Sequence, residues 1–141
     1  MIKNINKLLI IFFLLLSPAT SLEKNYFNEG KKLFEKKKYD NAKFKFEKDI
    51  VFNPKSENSY LYLSKIFSAE NKIDLAENNL NTVILLNPKN EEAIYDLTLL
   101  KLQKSNYNDA KKLIKTFKNV CKKNCARSIT LNEKLKNSLT Q

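Results

Sequence analysis

Cys121 and Cys125 are the residues whose type and spacing first suggest chemistry. A cysteine pair can be a structural disulfide, a redox-active dithiol or part of a metal site. The two stand four apart, not in the two-residue gap of thioredoxin-like motifs, and the chain has no histidine to complete a ligand set. Without histidine there is also no Ser–His or Cys–His activation of a nucleophile. Glu91 and Glu92 are adjacent, so they point to different parts of a helix surface and suit the positive end of a helix dipole. Gly30 is the only glycine, so no glycine-rich loop cradles a phosphate. No catalytic residue, cofactor or metal site is assigned, and the expectation is a protein that is not an enzyme. In an exported chain the default for Cys121 and Cys125 is a structural disulfide. A turn is expected between them, because a four-residue spacing within regular helix fits disulfide geometry poorly.

Export is read from the first residues. Lys3 and Lys7 accompany an unbroken apolar run from Leu8 to Leu16, and Ser17-Pro18-Ala19-Thr20-Ser21 offers cleavage after Ala19 or Ser21. Residues 1–21 are therefore expected to be a signal peptide, and the mature protein to be periplasmic or secreted. The apolar run is too short for the ~20 residues of a membrane span. No cysteine near the cleavage point could carry a lipid anchor. The chain is basic, with 26 Lys and Arg against 15 Asp and Glu. Nucleic acid is an unfavoured partner, because export removes the chain from it and every basic residue except Arg127 is lysine. Lysine lacks the planar fork that reads bases and phosphates. The plain reading is a solvated lysine coat; the sharper one is weak attraction to anionic lipid or cell-wall polymer.

The elements that position these residues follow a cadence. Ala42, Ala76 and Ala110 recur every 34 residues, each two residues after an Asp or Asn, in Tyr39-Asp40-Asn41-Ala42, Ile73-Asp74-Leu75-Ala76 and Tyr107-Asn108-Asp109-Ala110. Asn53-Pro54-Lys55 and Asn87-Pro88-Lys89 keep the same 34-residue step. Asp40, Asp74 and Asn108 are expected to cap a helix, with Glu77 completing a capping box after Asp74. The alanine lets that helix approach its neighbour, and the proline stops it. Each unit thus reads as helix, tight turn, capped helix, stop. Gly30 in mid-helix marks a close helix crossing.

A 34-residue helix–turn–helix period resembles the tetratricopeptide repeat family. Around Ala42, Ala76 and Ala110 the family's other positions fall on Tyr26, Tyr60 and Ile94; on Gly30, Ser64 and Thr98; on Leu33, Phe67 and Lys101; and on Phe46, Leu80 and Ile114. Lys101, Asp49 and Lys122 depart from the pattern, the last standing where a third proline is usual. The resemblance implies an all-α, right-handed α-solenoid of three repeats, at about 23–56, 57–90 and 91–124, followed by a C-terminal capping helix at 125–139. The cap carries Ile129, Leu131, Leu135 and Leu139 and covers the last repeat.

The resemblance also implies a function: the first helices of successive repeats line a concave groove for a protein or peptide partner. By position, that groove holds Phe27, Lys31 and Phe34, then Leu61, Tyr62 and Lys65, then Tyr95, Leu99 and Leu102. Aromatic and apolar residues mixed with lysine suit an extended or helical peptide carrying acidic groups. The Lys/Asn pattern with which some family members clamp a peptide's terminal carboxylate is not recognisable. The leading expectation is a non-enzymatic exported scaffold, of service in a cell-envelope complex. The alternative is a lysine-rich envelope-surface protein adhering electrostatically to anionic lipid or polymer.

Overall fold

A computed structural model of the protein describes residues 25–122 and 125–140. The expected signal peptide lies outside the described residues. Among the described residues seven helices follow one another: α1 (Tyr26–Glu35), α2 (Tyr39–Phe52), α3 (Glu57–Ala69), α4 (Ile73–Leu86), α5 (Glu91–Gln103), α6 (Tyr107–Val120) and α7 (Arg127–Leu139). They form three antiparallel pairs and a last helix, with no strand among the described residues.

The tight turn inside each pair is one motif used three times. Lys37, Asn71 and Ser105, spaced 34 apart, adopt the left-handed conformation with φ of 57°, 57° and 55°. In the first turn the Lys38 N–H donates to the Leu33 carbonyl at 2.9 Å and the Lys37 N–H to the Phe34 carbonyl at 2.8 Å. The same two bonds recur after α3 and α5. This is the Schellman arrangement, which satisfies carbonyls that a helix end would leave bare. No glycine eases it here, so each left-handed residue costs about 1 kcal/mol.

The turn also corrects the expected caps. A single residue separates the left-handed one from each second helix, which makes Lys38, Lys72 and Asn106 the N-caps. Asp40, Asp74 and Asn108 lie inside the first helical turn, too deep to cap, though the two aspartates still favour the positive helix end. Asn106 alone of the three N-caps uses its side chain, accepting from the Asp109 N–H at 3.3 Å. Glu77 builds no capping box; its carboxylate is taken by Lys101 and Lys104 of α5 and its C-terminal turn.

The repeated small and large residues do what their spacing requires. Ala42, Ala76 and Ala110 are fully buried, as are Phe46 and Leu80, with Ile114 nearly so. At Gly30 the α1–α2 crossing leaves no room: a Cβ there would meet the fully buried Phe46 ring at 2.7 Å. Two of the departures from the repeat pattern are compensated. Asp49 accepts a 2.6 Å hydrogen bond from the buried Ser59 hydroxyl. One repeat later the same two places hold the fully buried apolar pair Val83 and Ala93. Lys101 keeps its stem in the stack and its ammonium 2.6 Å from Glu77.

After α6 there is no proline, and Cys121 and Cys125 are joined by a disulfide with their Cα atoms 5.3 Å apart. The bridge ties the C-cap of α6 to the residues just before α7. Leu131 and Leu135 of α7 pack with Ile94, Leu102, Ile114 and Phe117. Ile129 and Leu139, expected on the apolar side of this cap, are instead 62% and 52% exposed. The stripe that meets the last repeat is narrower than the sequence suggested.

Candidate partner-binding groove

The first helices of the pairs, α1, α3 and α5, together with α7, carry a continuous line of contacting side chains. It begins with aromatic rings. Tyr62 of α3 meets Phe34 of α1 edge-on at 5.0 Å and Phe27 at 5.7 Å between centroids. The buried Phe46 stacks against the same tyrosine at 5.1 Å. One helical turn along α3, the Lys65 ammonium stands 5.7 Å from the Tyr62 ring and 3.2 Å from Glu92 Oε1 of α5. The other oxygen of Glu92 accepts from Arg127 Nη1 of α7 at 2.7 Å. The Arg127 guanidinium in turn lies 3.5 Å over the Tyr95 ring of α5. Rings and charges thereby run in one line across four helices distant in sequence.

The electrostatics of this line are uneven. Burial pushes the Glu92 carboxyl up, but the Arg127 hydrogen bond and the Lys65 charge outweigh it and hold the group below its usual value. Asp96, one turn further along α5, is pushed up to about 6 by burial and by the neighbouring Glu92, against the opposing pull of Lys65 and Arg127. No hydrogen-bond donor among the described residues reaches it. The groove thus holds one carboxylate locked in an ion-pair bridge and one that takes a proton in mildly acidic solution.

The expected groove residues divide into three groups. Phe27, Phe34, Tyr62, Lys65 and Tyr95 lie half-buried on the line just described, and Lys31 is exposed. Leu99 and Leu102 border an open cleft of about 480 Å³ between α5 and α7, shared with Gln103, Lys134, Asn137 and Ser138, but Leu102 itself is buried in the core with Ile114 and Phe117. Leu61 is a correction: it belongs to the core with Leu80, Val83 and Leu97. A rotation of one residue along α3 separates Leu61, facing inward, from Tyr62. Glu92, Asp96 and Arg127 were not anticipated as groove residues. The signal available was the i, i+3, i+4, i+7 spacing of Glu92, Tyr95, Asp96 and Leu99, which puts them on one face of α5. Among the described residues no group of three or more potential ligands is placed to hold a metal ion. None of the described helices is long and apolar enough to cross a membrane.

No family model matches the sequence, and no curated protein matches it as a relative. Solved structures do match its shape. The type III secretion translocator chaperone SycD of Yersinia enterocolitica superposes with a TM-score of 0.76 at 15% identity, over 92% of this chain and 94% of that one. The first tetratricopeptide domain of Spaghetti (RPAP3), bound to an HSP90 peptide, gives 0.74 at 19% identity, over 82% and 91%. A tetratricopeptide repeat protein from Parabacteroides merdae gives 0.77 at 23% identity, over 88% of this chain and 48% of that chain. This is a tetratricopeptide-repeat fold. In a tetratricopeptide solenoid the first helices form the inner, concave layer, so the line from Phe27 to Arg127 runs across that layer. The second helices α2, α4 and α6 form the outer, convex layer.

Proposed function

We propose that the protein is a non-enzymatic scaffold that holds a peptide segment of a partner protein against its concave layer. The observation that carries this reading is the contact line itself, in which half-exposed rings and paired charges from α1, α3, α5 and α7 meet on one face. Rings at Phe27, Phe34 and Tyr62 offer apolar anchoring, which dominates the energetics of small interfaces. The Lys65–Glu92–Arg127 bridge can exchange its internal partners for polar groups of a bound chain. The similar domains of Spaghetti, bound to an HSP90 peptide, and of yeast Sti1, in a pHsp70 complex, support a peptide as the ligand class. Export into the cell envelope, through a signal peptide removed after Ala19 or Ser21, is part of the same proposal and rests on the sequence of residues 1–21.

The test is affinity capture from envelope extract with the wild-type chain and with Tyr62→Ser and Tyr95→Ala. Both rings are half-exposed, so these variants are expected to fold. A partner retained by the wild type and lost by both variants is the expected result. Capture that is indifferent to both substitutions overturns the groove assignment. N-terminal sequencing of the processed protein is expected to begin at Thr20 or Leu22, and an intact Met1 in the envelope fraction overturns cleavage.

A further inference from the structure

The convex layer carries a feature that peptide binding does not use. On α2, Phe44, Lys48 and Val51 share one helix face, and Phe44 and Val51 are 53% and 74% exposed. Phe52 beside them is 70% exposed, with its ring stacked on Tyr26. Leu85 of α4 stands 34 residues after Val51, at the same place in the next repeat, and is 82% exposed. Packing does not require an apolar residue there, because the third repeat has an exposed polar residue, Asn119, at that position. Bare valine, leucine and phenylalanine on neighbouring second helices make a surface that water solvates poorly.

Lysines and carboxylates both border this patch. Lys48 Nζ lies 4.6 Å from the Phe44 ring centroid and 5.6 Å from that of Tyr26. Lys55 and Lys89 are exposed four residues after Val51 and Leu85, just past the two prolines. Of the acids in this region, Glu29 is paired with Lys45 and Asp49 is bonded by Ser59. Glu47 of α2 and Glu57 of α3 are the nearby acids that form no ion pair among the described residues.

We propose that the convex patch rests on an anionic phospholipid surface, with Phe44, Val51, Phe52 and Leu85 in the headgroup region and Lys48, Lys55 and Lys89 against phosphates. Apolar side chains interspersed with lysine are what interfacial binding needs, since each supplies one half of the attraction. A second copy of the chain fits less well, because it would bring two lysine-bearing patches of a basic protein face to face. The concave layer stays open on the opposite side, so this contact is independent of the groove.

The chain has no tryptophan, so a single introduced one reports its own surroundings. Leu85→Trp and Val51→Trp would be titrated with phosphatidylglycerol vesicles, with Ile129→Trp on α7 as the reference. The expected result is a blue shift of emission for the first two and none for the third. Phosphatidylcholine vesicles are expected to give no shift. Adding Lys48→Glu, Lys55→Glu and Lys89→Glu is expected to weaken the vesicle titration roughly tenfold or more. Equal shifts at all three tryptophans, equal shifts on both lipids, or no shift anywhere would overturn the proposal. So would a shift that grows with protein concentration in the absence of lipid, which would mark self-association instead.

Discussion

Asp96 shows how one residue can set the response of the groove to acid. Its folded-state value is raised from 3.8 to about 6, by burial first and Glu92 second, with Lys65 and Arg127 pulling the other way. Between those two values the unfolded chain has lost the proton that the folded chain still holds. The stability this residue contributes is therefore full below the lower value and is lost as pH rises through the window. Glu77 and Glu92, held low by their basic partners, act in the opposite sense and lose their contribution as pH falls below the ordinary 4.5. Asp96→Asn is expected to stabilise the fold at pH 7 by about 1–2 kcal/mol, a few degrees in midpoint, and to flatten the thermal midpoint between about pH 4 and 6. Thermal melts across that range check it. An unchanged midpoint at pH 7 would mean that water or a neighbour already solvates the carboxylate.

Between elements, ion pairs set which helices belong together. Lys43 of α2 faces Glu70 at the end of α3, 3.7 Å away. One repeat later the same two places hold Glu77 and Lys104, 3.0 Å apart, with the signs exchanged. A repeat docked out of order would bring Lys43 toward Lys104, or Glu77 toward Glu70. This opposition makes near-identical hairpins distinguishable, a use of charge that specifies pairing more than it adds stability. Glu77 also holds Lys101, where the other two repeats have Leu33 and Phe67. Glu77→Ala is expected to cost about 1 kcal/mol after solvent screening, by leaving Lys101 half-buried without its closest partner. Lys112→Ala, which removes an exposed pair with Asp109, is expected to leave the denaturation midpoint unchanged. Chemical denaturation of both variants tests the difference, and equal effects would refute the special role of the α4–α5 pair.

Across the whole molecule, stability passes from neighbour to neighbour. Three core clusters follow the chain, two made by adjacent hairpins and one by the last hairpin with α7, and they are bridged by half-buried residues such as Ile84, Leu113 and Phe67. In such a stack each unit depends mainly on the units beside it. Leu131 is fully buried between α7 and the last repeat. Leu131→Ala is expected to cost about 2–4 kcal/mol and to open the C-terminal end first. Hydrogen exchange should then speed up in α6 and α7 well before α1 and α2; uniform loss of protection would indicate a single cooperative block instead.

The period, and the residues that make it, were legible in the chain alone. The spacing of Ala42, Ala76 and Ala110, with Pro54 and Pro88, gives helix pairs of 34 residues, and Gly30 marks a crossing with no space for a Cβ. Those signals are readable because a helix, its turn and its stop depend on residues within a few positions of one another. The cysteine pair was equally legible, being local. The caps were misplaced because the left-handed turn at Lys37, Asn71 and Ser105 carries no glycine to announce it. The packed helices alone revealed that Leu61 turns inward while Tyr62 faces Phe27 and Phe34, and that Lys65, Glu92 and Arg127 meet. The charged contacts join residues 27 and 35 positions apart. They depend on how far each helix is rotated and shifted against the next, a quantity set by the packing of the entire stack and not by any one segment of it.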